Sequence, residues 1–108
     1  MNAIKIKPLS VNKAWQGKRF KTQDYKDYEQ TLMYILPPIS FDPRLDYKID
    51  LEFGMANSQS DIDNPIKPFL DCLQKKYGIN DKDIWEMHVK KVKVKKGEDY
   101  IRFNLEEV

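Results

Sequence analysis

Hydrophobic and polar positions divide the chain into segments with a clear period, separated by stretches with none. Ile4 and Ile6 alternate with Lys5 and Lys7, which predicts a short strand over residues 3–7 that Pro8 closes. Residues 8–21 have no period and contain Ser10, Asn12 and Gly17, so they read as a loop. From Thr22 to Leu36, the spacing of Tyr25, Tyr28, Leu32, Ile35 and Leu36 marks one face of a helix. Thr22 can cap that helix, because its hydroxyl oxygen can accept from a free N–H of the first turn; Pro37-Pro38 stops it. Tyr47, Ile49, Leu51, Phe53 and Met55 then alternate with Lys48, Asp50 and Glu52, the pattern of a strand buried on one face.

A second helix carries its apolar stripe at Ile66, Phe69, Leu70, Leu73 and Tyr77. Asp63 or Asn64 can cap it, Pro65 suits its first turn, and Gly78 suits its stop. Trp85, Met87 and Val89 alternate, and Val92 and Val94 alternate in the opposite phase. That slip at Lys90-Lys91 predicts a β-bulge. Gly97-Glu98-Asp99 turns the chain into a last strand with Ile101, Phe103 and Leu105 on one face. The order β-α-β-α-β-β predicts an α+β fold: a single domain over residues 1–108, with two helices packed on a mixed four-stranded sheet.

Composition narrows the classes. A length of 108 residues suits one domain, 41% hydrophobic residues suffice for a core, and no apolar run approaches the roughly 20 residues of a membrane span. The N-terminus has no apolar signal-peptide core, and the single cysteine, Cys72, rules out an internal disulfide, so a cytoplasmic protein is expected. Net charge is only +2, but it is unevenly spread. Lys5, Lys7, Lys13, Lys18, Arg19 and Lys21 precede the first acidic residue, Asp24, and a second basic run comprises Lys90, Lys91, Lys93, Lys95 and Lys96. Concentrated positive charge suits a polyphosphate partner, since each neutralised phosphate releases condensed counterions. It is equally the composition of a solvated surface.

Between the two basic runs lies the chemistry-bearing stretch, Ser60-Asp61-Ile62-Asp63-Asn64-Pro65-Ile66-Lys67, followed after the second helix by Asn80-Asp81. Gathered carboxylates raise each other's pKa unless a cation offsets them, and Mg²⁺ takes carboxylate oxygens together with substrate phosphates. Asp61 and Asp63 stand two apart in an extended segment and can face the same way. Lys67 lies one helical turn beyond Asp63, and Asp81 is carried back if the helix returns along its strand. An EF-hand is excluded, because Pro65 falls where a third ligand and then a glycine belong. The plainer alternative is a cap at Asp63, a loop residue at Asp61 and a turn former at Asp81.

Taken whole, the pattern Asp61-Ile62-Asp63-Asn64-(x)₂-Lys67-(x)₃-Asp71, then Asn80-Asp81-(x)₂-Ile84, resembles the RusA family of Holliday-junction resolvases. Pro8-Leu9-Ser10-Val11-Asn12-Lys13 is similar to that family's opening loop, and length and element order agree, so the resemblance spans nearly the entire chain. It implies a homodimeric endonuclease, of bacterial or phage origin, that nicks four-way DNA junctions symmetrically with Mg²⁺, Mn²⁺ substituting, and with no small-molecule cofactor. Asp61, Asp63 and Asp81 match the family's metal-binding carboxylates and Lys67 its active-site lysine; Asn64 is expected to contact DNA. Asn80 stands where some members have an acid, and the connection to Asp81 is shorter than in others, which makes Asp83 the rival third ligand.

Lys13, Lys18, Arg19 and Lys21, with Trp15 and Phe20 interleaved, are the leading DNA-contact candidates. The aromatic pair either stacks in an opened junction or covers the edge of the core. Lys91, Lys93 and Lys95 would extend a phosphate track, although edge-strand lysines also prevent aggregation. His88 reads as a strand-surface residue and Cys72 as packing. A C₂ dimer would match the two-fold axis of the junction, with Ile101 and Phe103, or Tyr25 and Tyr28, as interface candidates. Two other functions remain open: a metal-dependent nuclease for other branched DNA, and a non-catalytic DNA-binding module of the same fold.

Overall fold

The computed structural model describes residues 3–17, 20–57 and 59–108. Its element order is α1 (Val11–Ala14), β1 (Trp15–Gln16), β2 (Phe20–Lys21), α2 (Gln23–Ile35), β3 (Tyr47–Met55), α3 (Ile66–Tyr77), a 3₁₀ turn (Asp81–Asp83), β4 (Ile84–Lys93) and β5 (Tyr100–Glu107). This is the α+β arrangement expected from the periodicity. Thr22 caps α2 by accepting from the Tyr25 N–H at 3.2 Å. Gly78 ends α3 in the left-handed conformation, φ 77°, which costs a glycine little.

β3 is the centre of a mixed three-stranded sheet, parallel to β4 and antiparallel to β5. Helix α3 is the crossover that makes β3 and β4 parallel. Ile49, Leu51, Phe53 and Met55 on β3 and Ile101 on β5 share the core with Tyr25, Tyr28, Leu32 and Leu36 of the α2 segment and Phe69, Leu70, Cys72 and Leu73 of α3. Full burial of each large apolar side chain contributes about 1.5–3 kcal/mol, so this face dominates the stability. Ile35 departs from the expected stripe and is 37% exposed. Cys72 is fully buried, and burial, with Glu29 and Asp71 nearby, pushes its thiol up to about 12. That suits packing and not reactivity.

Three expectations need correction. The first strand is reduced to one bridge, Ile4 to Ile101, so the sheet has three full strands and not four. The loop over 8–21 contains a four-residue helix and the small antiparallel β1–β2 pair. The ladder is regular across Lys90-Lys91; its irregularity lies between Tyr47 and Lys48, where Tyr47 pairs with Ile84 and Lys48 with Glu86, leaving Trp85 extra. The change of hydrophobic phase has another cause. Lys91 takes a position beside Phe53 on the helix side, and its ammonium donates to the Ser60 carbonyl.

The opposite face of the sheet is charged. Tyr100 lies across Gly54 there, its hydroxyl donating to Glu52 at 2.6 Å and its ring under the Arg102 guanidinium at 5.2 Å. A Cβ at position 54 would meet the Tyr100 ring at 2.2 Å. Gly54→Ala should therefore lower stability by about 1–3 kcal/mol, the usual cost of overpacking. In a Tyr100→Ala background the same substitution should cost much less, and a double-mutant cycle from urea unfolding checks this.

Candidate active site

The turn between β3 and α3 is closed by backbone bonds from the Asn64 N–H to the Asp61 carbonyl, 3.1 Å, and from the Ile66 N–H to the Asp63 carbonyl, 3.2 Å. Pro65 occupies the cap position of α3, and no side chain caps the helix. The expectation of an Asp63 or Asn64 cap is thus corrected: the helix starts later, and the turn's own backbone bonds replace the cap. Both Asp61 and Asp63 are exposed, and neither carboxylate makes a hydrogen bond or ion pair among the described residues. Two carboxylates left unengaged in this way have no evident structural duty.

Lys67, in the first turn of α3, reaches across to the 3₁₀ turn. Its ammonium binds Asp81 Oδ2 and, 3.0 Å away, Asp71 Oδ1. The bond to Asp81, then that to Asp71, outweighs partial burial and raises the lysine above its ordinary value, so it stays charged. Asp71 also accepts from the Tyr25 hydroxyl at 3.4 Å. Burial first, and then the Asp71 carboxylate, raises Tyr25 and keeps it a neutral donor. Asp71 stands in the acidic motif, and the pattern alone gives it no role. Its signal was the i,i+4 spacing from Lys67.

Asp81 is half-buried, and its Oδ1 is buried with no hydrogen-bond partner among the described residues. Buried acceptors are nearly always satisfied, so an orphan oxygen requires an explanation. Asn80 caps the 3₁₀ turn by accepting from the Lys82 N–H at 3.2 Å. Lys67 pairs with Asp81, whereas Asp83 makes no ion pair among the described residues.

The opening loop is docked on the same turn. The Val11 N–H donates to the Asn64 carbonyl at 2.9 Å, and a hollow of about 580 Å³ runs between the two segments, with Ser10, Asn12, Lys13, Tyr28, Ser60 and Asn64 in its wall. A larger hollow of about 780 Å³, walled by Ile4, Ile35, Phe41, Phe103 and Leu105 among others, contains none of the four candidate catalytic residues.

The DNA-contact candidates separate into groups. Trp15 packs edge-on against Tyr25, centroids 5.5 Å apart, and so covers the core edge. Phe20 projects outward, 69% exposed. Lys21 binds Glu29 at 2.7 Å and lies 5.0 Å from the Tyr25 ring, and Lys91 is held at Ser60; both ammonium groups are engaged within the fold. Lys13 and Lys93 are exposed, while Lys18 and Arg19 lie outside the described residues.

A hard divalent cation suits the oxygen-only donor set and the orphan Asp81 Oδ1. Among the described residues, however, no three acidic, histidine or cysteine side chains stand together as a metal-binding group: Asp81 is drawn to Lys67, and Asp61 and Asp63 remain on their turn. Compared with known proteins, the chain matches no protein-family model and no curated protein.

Proposed function

We propose that this chain is a Mg²⁺-dependent, structure-specific endodeoxyribonuclease that resolves four-way DNA junctions as a homodimer, working in the cytoplasm of a bacterial or phage-infected cell. The observation that carries the reading is the contact of Lys67 with Asp81. It joins the two separated parts of the acidic motif, next to a buried carboxylate oxygen that no group among the described residues satisfies. No helix among the described residues is long and apolar enough to cross a membrane.

Phosphodiester hydrolysis requires an activated water, charge withdrawal from the phosphoryl oxygens and an outlet for the departing alkoxide. Asp61, Asp63 and Asp81 would hold Mg²⁺, which supplies water activation and polarisation of the phosphate. Lys67 provides a fixed positive charge for the transition state, where negative charge on the phosphoryl oxygens is greatest. Asp71, itself held by Tyr25, positions that ammonium. Phe20 offers a ring on which a base exposed at the branch point can stack.

Incubation with a synthetic four-way junction, a flap substrate and a matched linear duplex, each with Mg²⁺, tests the proposal. Paired nicks at symmetric positions in opposed strands of the junction are expected. Cutting of the flap alone would move the reading to another branched substrate, and binding without any cutting would leave a DNA-binding module. Phe20→Ala should fold normally, since its ring is exposed, and should weaken junction binding by about 5- to 150-fold, the equivalent of about 1–3 kcal/mol of stacking. A titration against labelled junction measures it.

A further inference from the structure

The surfaces expected to form a dimer are already used within one chain. Tyr25, Tyr28 and Ile101 belong to the core, and Phe103 packs against it. Among the described residues, the long strand edge that no other strand pairs with is the outer edge of β4. This ten-residue strand pairs with β3 on one side only, and no outward backbone hydrogen bond links it to another segment among the described residues. Such an edge is a template for another strand. Trp85, 71% exposed, and Met87, 37% exposed, lie on it.

The strand's sequence says what the other strand is. Acidic Glu86 lies before its midpoint and the lysines Lys90, Lys91 and Lys93 after it, with His88 between. A parallel copy in register would set lysine against lysine. An antiparallel copy centred on His88 sets Glu86 against Lys90 of the partner subunit, and Met87 against Val89 of the partner subunit. Two-fold symmetry makes each of these contacts twice. Moving the centre to Val89 sets His88 against Lys90 and Met87 against Lys91; moving it to Met87 sets Lys90 against Ile84. Of the three, only the His88-centred register sets the strand's one carboxylate, Glu86, against a lysine, with two apolar side chains beside them.

We infer that β4 pairs antiparallel with β4 of a second copy about a two-fold axis at His88, joining the two sheets into one. This supplies the contact surface for the homodimer of the proposed function and rests on that dimer, but not on any nuclease chemistry. The mode is β-strand addition, in which main-chain bonds give affinity and alternate side chains fix the register.

The test needs no DNA. In the His88→Cys variant, the two introduced thiols would face each other across the axis. Facing antiparallel residues have Cα atoms about 4.5–5.5 Å apart, inside the about 4.4–6.8 Å that a disulfide spans. Mild oxidation should give a covalent dimer, whereas the wild-type chain, whose only thiol is the buried Cys72, should give none. In sedimentation equilibrium, Glu86→Lys and Lys90→Glu should each weaken dimerisation roughly tenfold, because attraction becomes like-charge opposition twice over. The double variant should restore it. A dimer that neither cross-links at position 88 nor responds to the charge swaps would overturn this interface and leave the nuclease reading intact. A strict monomer would overturn both the interface and the homodimer. Junction nicking, assayed separately, reports on the chemistry in either case.

Discussion

Asp61→Asn, Asp63→Asn and Asp81→Asn should each abolish junction cleavage while the junction is still bound. An amide oxygen keeps the shape of the carboxylate but loses the charge that holds a hard cation, so the step depending on that cation fails. Affinity for the DNA should not fall, since each change removes a negative charge from a surface that receives phosphates. Folding should tolerate them. Asp61 and Asp63 are exposed and make no side-chain bonds among the described residues, and the Lys67–Asp81 pair is exposed enough to contribute only about 0–1 kcal/mol. Asp83→Asn serves as the control and should keep wild-type activity. Mapping nicks on a labelled junction, alongside binding measured without metal, separates the two effects. Normal nicking by the first three variants would remove the acidic cluster from the mechanism, and loss at Asp83 in place of Asp81 would reassign the third ligand.

What the sequence disclosed, and what it hid, follows from how each residue is used. Strand β3 and helices α2 and α3 were readable because one face of each is buried, and burial writes a period into the chain. The β1–β2 pair was not, since two-residue strands have no period to show. The phase change at Lys90-Lys91 imitates a bulge because a charged residue there lies on the helix side. Lys91 lies on the helix side of the ladder and reaches a backbone oxygen with its tip, as long amphipathic side chains do. The same limit applies to the candidate site. Motif spacing put Lys67 near Asp81, and the two do meet. Spacing could not reveal that Asp71 bridges Lys67 to Tyr25, because that contact joins residues 46 apart in the sequence. Nor could it reveal that Tyr25 and Tyr28, offered as interface residues, are spent on the core.

Lys67→Ala should lower the cleavage rate by roughly a hundredfold or more, with a smaller change in junction affinity. One well-placed donor to a transition state is worth on the order of 3–4 kcal/mol, far more than an exposed ion pair contributes to folding. The lysine's partners explain why its charge is dependable. Asp81 first and Asp71 next raise its pKa above 10.5, so the ammonium persists through the neutral range and is lost only as pH rises through that elevated value. The pH–rate profile should accordingly show no falling limb due to Lys67 in the neutral range. Asp71→Asn separates charge from placement. It leaves the lysine charged beside Asp81 but frees it from the Tyr25-anchored carboxylate, and the rate should drop by less than in Lys67→Ala with the shape of the pH profile unchanged. Tyr25→Phe, which keeps the buried ring and removes only the hydroxyl, should act in the same direction more weakly. Single-turnover nicking at saturating enzyme reads the chemical step in all three variants, and a titration against uncut junction reads binding. If Lys67→Ala reduced rate and affinity by equal factors, the lysine would be an ordinary phosphate contact. Asp71 would then have nothing to position.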